Sequence, residues 1–108
     1  MHLKFEELYN DINLKVDEIA ERILALDGTP LHSFTDYQAI SRINEVKGLT
    51  DGAAMVQSIL DDFKLLIIEQ RNILQNAGNN DDEGTITLMS DYITEEEKTV
   101  WMLKSYLN

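Results

Sequence analysis

An all-α bundle of three long helices and one short one is the fold that this sequence predicts. Three long stretches keep apolar residues at spacings of three and four, the period of a helix with one buried side. Gly, Asn and Pro cluster between those stretches, where helices stop. No run shows the alternation of a half-buried strand. The 108 residues suit one domain with a modest core, and the apolar share of 44% is ordinary for a globular chain.

The first helix is predicted over the opening MHLKFEELYNDINLKVDEIAERILALDG. At ~100° per residue it sorts into three faces. Phe5, Leu8, Ile12, Val16, Ile19, Ile23 and Leu26 form an apolar stripe. Lys4, Glu7, Asp11, Lys15, Glu18 and Arg22 stand opposite and read as solvent-facing. Between them lie His2, Glu6, Asp17 and Glu21, with Leu14 and Leu24 alongside. Leucines beside a carboxylate row suggest a second, semi-polar interface. Gly28, as a C′ glycine, and Pro30 are expected to end the helix.

Those four polar residues are all potential metal ligands. His2 with Glu6, and Asp17 with Glu21, are i, i+4 pairs on one face. Eleven residues separate Glu6 from Asp17, about three turns, so all four fall within ~100° of arc. Along the axis, however, Glu6 and Asp17 are roughly 16 Å apart at 1.5 Å per residue. One helix therefore does not close them on one ion. Two copies paired antiparallel about a two-fold axis between Asp11 and Ile12 would bring His2 and Glu6 of one against Asp17 and Glu21 of the other. The spacing predicts a metal site shared between subunits.

Downstream, Ser33 is read as the cap of a short helix from Phe34 to Ile43, with Phe34, Tyr37 and Ile40 on one side. His32, a lone loop histidine, is assigned no role. A second long helix is predicted from Asp51 to Ala77, capped by Thr50 or Asp51. Its core positions are Val56, Ile59, Leu60, Phe63, Leu66, Ile67, Ile73 and Leu74, and its solvated positions Asp61, Asp62, Lys64, Glu69 and Arg71. The third long helix opens at Asp81-Asp82-Glu83, where acidic residues suit capping and the macrodipole. Ile86, Met89, Ile93, Val100, Leu103 and Leu107 supply its core, with Trp101 and Tyr106 expected to pack there too.

The net charge of −11 argues against direct DNA binding, which depends on neutralising phosphates with Lys and Arg. It suits solubility and the attraction of cations. Cysteine is absent, so thiolate and disulfide chemistry are excluded. No stretch reaches the ~20 apolar residues of a membrane span, and charges begin at Lys4, against a signal peptide. A cytoplasmic protein without membrane partners is expected.

The series His2-Leu-Lys-Phe-Glu6 and Asp17-Glu-Ile-Ala-Glu21-Arg22 resembles the signature of Dps-type mini-ferritins, in the ferritin-like superfamily. The closing Glu97-Lys98-Thr-Val-Trp101-Met102-Leu-Lys-Ser-Tyr-Leu107 is similar to that family's last helix, Asp27-Gly28-Thr29-Pro30 to its turn, and the predicted short helix to its crossover helix. The likeness covers residues 1–108 as a single domain.

That resemblance implies a dodecameric cage that oxidises Fe(II), typically with hydrogen peroxide, and stores the mineral inside. Consuming both reactants together would prevent hydroxyl-radical chemistry. The catalytic and metal-binding set it implies here is His2 and Glu6 from one subunit, Asp17 and Glu21 from its partner. Imidazole and carboxylate donors suit iron. Glu6 stands where many members have Asp. Asp82 and Glu83 match, by location, the acidic lining of the family's iron-entry pores. The family's first helix, with a further histidine ligand, would lie ahead of Met1, and its absence should bare apolar surface on Phe5, Ile12, Val56 and Phe63. The alternative is a non-catalytic assembly module whose acidic row is only a polar dimer seam.

Overall fold

A computed structural model describes residues 2–31, 33, 41, 48 and 51–108. The described residues contain three α-helices: α1 (His2–Ala25), α2 (Gly52–Asn79) and α3 (Glu83–Leu107). The chain divides into two compact units, Met1–Ser41 and Arg42–Asn108. The expected short helix from Phe34 to Ile43, with His32 at its entry, lies, except for Ser41, outside the described residues.

In the first unit, α1 ends in a hydrogen-bonded C-cap. Gly28 N–H donates to the Ile23 carbonyl at 2.8 Å and Asp27 N–H to that of Leu24 at 3.0 Å. These are the two bonds of a Schellman motif, whose C′ residue takes the left-handed conformation. That residue is Asp27, at φ 64°, and not the expected Gly28. Gly28 sits one place later. A Cβ there would come within 2.8 Å of Ile23 Cγ2, so the residue is small for want of room.

The faces of α1 also differ from expectation. Phe5, Leu8, Ile12 and Ile23 are half-buried, but Val16, Ile19 and Leu26 are exposed. Lys15, expected in solvent, is only 5% exposed. Its ammonium donates to Asp11 Oδ2 at 2.7 Å, one helical turn back. At ~100° per residue Lys15 points only 20° from Leu8. A long aliphatic stem and a neutralising partner let a lysine occupy such a position.

The second unit is a helical hairpin. Buried positions on α2 include Val56, Leu60, Phe63, Gln70 and Ala77; on α3 they include Thr85, Met89, Tyr92, Glu96 and Leu103. Both sets fall on a seam of alternating three- and four-residue steps, the pattern that lets two helices interlock over their length. Val56 and Phe63 are fully covered, contrary to the bare patch expected of them, and Phe5 and Ile12 are half-covered. Ile73, by contrast, is exposed, as are Trp101 and Tyr106. Those two aromatics lie off the α3 seam, and position on the helix outweighs side-chain size. Asp61, Lys64 and Arg71 are solvated as expected, whereas Asp62 and Glu69 are half-buried.

Asp51 caps α2, accepting the Ala54 N–H at 3.3 Å. The turn from α2 to α3 needs only Asn80, Asp81 and Asp82. Asp81 takes the left-handed conformation at φ 55°. Asp82 then serves both helices. Its N–H donates to the Ala77 carbonyl at 2.8 Å, closing α2. Its carboxylate caps α3: Oδ1 accepts the Thr85 N–H at 3.2 Å and Oδ2 the Thr85 hydroxyl at 2.6 Å. Asp82→Ala should therefore cost about 1–2 kcal/mol, the upper range for loss of an N-cap. Asp82→Asn should recover most of it. Urea midpoints of the two variants check this, and equal midpoints for wild type and Asp82→Ala would refute it.

Candidate metal centre

The unbroken course of α1 from His2 to Ala25 fixes the spacing of the four ligand candidates. His2 is the first helical residue. Glu6, Asp17 and Glu21 are exposed, and none makes a hydrogen bond or ion pair with another described residue. Two ion pairs of this helix, Lys4–Glu7 at 3.3 Å and Asp11–Lys15 at 2.7 Å, involve none of the three. The carboxylate row is thus left with open oxygen donors. Leu14 and Leu24, 63% and 59% exposed, flank it as the sequence predicts.

Helical rise still separates Glu6 from Asp17 by roughly 16 Å. Among the described residues, no three His, Asp or Glu side chains gather into a metal site within the chain. Exposed Glu6 lies toward one end of α1, and exposed Asp17 and Glu21 toward the other. Exposed carboxylates on a chain of net charge −11 concentrate cations at its surface.

The pore candidates have different surroundings. Both Asp82 oxygens are engaged in the cap of α3, whereas Glu83, in the first turn, is exposed. Capping therefore accounts for the position of Asp82 without a metal.

Two further polar features escaped the periodicity argument. Gln70 Nε2 donates to Glu96 Oε2 at 2.8 Å across the α2–α3 seam, with both residues buried. Each stands at a seam position, and that coincidence is the sequence signal for the pair. Asp62, read as solvated, is half-buried instead; burial, and next the charge of Asp61, push its carboxyl above the ordinary value.

The comparisons with known proteins agree in direction. Residues 1–108 match the family described as Ferritin, a ferritin-like domain. A Haemophilus influenzae protein is 45% identical over 105 residues, covering 97% of this chain and 66% of that protein. DNA protection during starvation protein 2 of Bacillus anthracis is 41% identical over 108 residues, 100% of this chain and 74% of that protein. The solved Dps protein from Vibrio cholerae O1, described as one of a broad superfamily of ferritin-like diiron-carboxylate proteins, superposes with a TM-score of 0.97 at 50% identity. It is covered over 67% of its chain, and this chain over 99%. The chain spans about two thirds of the length of these relatives. Among the described residues, no helix is long and apolar enough to cross a membrane.

Proposed function

We propose that this chain, which belongs to the ferritin-like family and within it to the Dps type, is a subunit of a cytoplasmic iron-storing and iron-detoxifying cage. Fe(II) is its substrate, oxidised at a centre shared between two-fold related copies. The observation that carries this reading is the face of α1: Glu6, Asp17 and Glu21 in one row, exposed and without partners among the described residues, between exposed Leu14 and Leu24. The leucines give two copies apolar surface to bury, and their pairing brings His2 and Glu6 against Asp17 and Glu21.

The chemistry follows from that donor set. Carboxylate oxygens and imidazole bind Fe(II). Negative charge on the ligands stabilises the trivalent product more than the divalent substrate, so the site favours electron loss. Two Fe(II) ions each give one electron to hydrogen peroxide; its O–O bond breaks and, with two protons taken up, two waters leave. The Fe(III) is held in the cage, a dodecamer by family expectation. Glu83 is the carboxylate available at an iron-entry pore, with Asp82 occupied in its cap. The name of the Bacillus anthracis relative speaks of DNA protection. For this acidic chain, protection acts through removal of iron and peroxide, not through contact with DNA.

Stopped-flow absorbance of Fe(III), with Fe(II) and peroxide supplied in stoichiometric ratio, tests the reading. Glu21→Ala and His2→Ala should each slow the signal at least tenfold, as loss of a direct ligand does at least as much as loss of its supporting partners. Rates equal to wild type would leave the acidic row as a dimer seam only.

A further inference from the structure

The polar row of α1 holds two residues that the donor set does not use, Asn10 and Asn13. In full it runs His2, Glu6, Asn10, Asn13, Asp17, Glu21, in steps of four, four, three, four and four. Such steps keep neighbours on one side of a helix, and α1 is unbroken from His2 to Ala25. The series of steps is the same in either direction, and its centre falls between the two asparagines. An isologous helix pair requires that symmetry, because each position meets its counterpart on the other copy. Seven residues separate Glu6 from Asn13, and Asn10 from Asp17, so each amide points within about 20° of a carboxylate. Both asparagines are exposed, and neither makes a hydrogen bond with another described residue.

The residue type at that centre matters. An antiparallel pairing that brings Glu6 against Asp17 also brings Asn10 of each copy against Asn13 of the other. A carboxamide carries both donors and an acceptor, so two of them satisfy each other. Carboxylates there would repel across the axis, between two centres that are already acidic. Apolar residues would bind but tolerate a slip, and sliding by one turn moves every ligand about 5 Å past its partner. Paired amides lose their partners in such a slip, which is how an asparagine between paired helices selects one register. We propose that Asn10 and Asn13 are positioning residues for Fe(II) oxidation. Their reciprocal amide contact across the two-fold axis sets the register in which both shared centres close. This role rests on the two-fold pairing of α1 proposed above.

Asn10→Leu/Asn13→Leu tests this with two readouts, one of them free of iron. The chain has no cysteine, so a nitroxide on Glu18→Cys, at an exposed position of α1, reports the register. In the closed pairing Glu18 stands opposite position 5, so the two labels lie roughly 20 Å apart along the axis. Pulsed EPR should give one narrow shortest distance with both asparagines present. The leucine variant should stay associated by light scattering, yet broaden that distance or shift it by about 5 Å. Its Fe(III) formation should slow at least tenfold, the scale expected when groups that orient metal ligands are lost. Asn10→Ser/Asn13→Ser, whose hydroxyls also donate and accept, should recover part of both signals. Either readout left at its wild-type value in the leucine variant overturns the proposal. So does dissociation of that variant into monomers, because the amides would then hold the pair together and not place it. A wild-type chain that gives no such distance removes the two-fold pairing itself. An unchanged distance in the leucine variant, alongside slow oxidation in Glu21→Ala, removes only the role of the asparagines.

Discussion

Gln70→Glu is expected to destabilise the α2–α3 hairpin by about 3–5 kcal/mol at pH 8 and by far less at pH 5, although it changes only an amide to a carboxyl. The reason is the environment of Glu96, which is 1% exposed and accepts the Gln70 amide at 2.8 Å. A second carboxylate there leaves two like charges in a buried seam, and one must keep a proton. Its folded-state pKa then lies above the ordinary Glu value of about 4.3. The sign follows from proton uptake. Above the ordinary value the folded variant holds a proton that the unfolded chain has released, so stability falls by ~1.4 kcal/mol per pH unit until the raised value is reached. Below about pH 4 both states are protonated, the proton restores a hydrogen bond between the two groups, and the deficit should nearly vanish. Urea midpoints of wild type and variant at pH 5 and 8 measure it. A pH-independent difference would mean that the pair is hydrated in solution.

The same pair shows what the amino-acid pattern revealed and what it hid. Val56, Leu60, Phe63, Met89, Ile93 and Leu103 stand out as core because apolar residues recur at helical spacing, and each is buried. Gln70 and Glu96 share that seam, but a periodicity argument sorts residues by polarity and sends both to the solvent. Their partnership depends on a contact 26 residues apart in the chain. Lys15 was hidden likewise, since polarity sends a lysine to the solvent, whereas this one is buried with its ammonium on Asp11. Trp101 erred the other way: bulk suggested core, whereas its position off the seam leaves it outside. Caps were legible where side chains do the capping, as at Asp51 and Asp82. The left-handed turn residues were not, because Asp27 and Asp81 occupy positions where glycine is the usual expectation. The alignment of Glu6, Asp17 and Glu21 along one side follows from helical geometry alone, and their exposure is what the structure adds.

A shared centre makes a stronger prediction than loss of activity in single variants. Glu6→Ala removes a ligand from one half-site and Glu21→Ala from the other, and each variant alone should oxidise Fe(II) at least tenfold more slowly than wild type. Refolded together in equal amounts, they should regain activity. In a mixed two-fold pair, one centre combines both damaged halves, while the other combines an intact Glu6 with an intact Glu21. Random pairing places half of the dimers in that mixed state, with one good centre of two, so about a quarter of wild-type activity should return, as an isologous interface requires. A centre built within one chain gives no recovery at any ratio, because every chain in the mixture lacks one ligand. The mixing curve therefore separates the two arrangements independently of how fast the intact centre works. It should peak at equal proportions, and a flat curve would show that Glu6 and Glu21 do not meet across subunits.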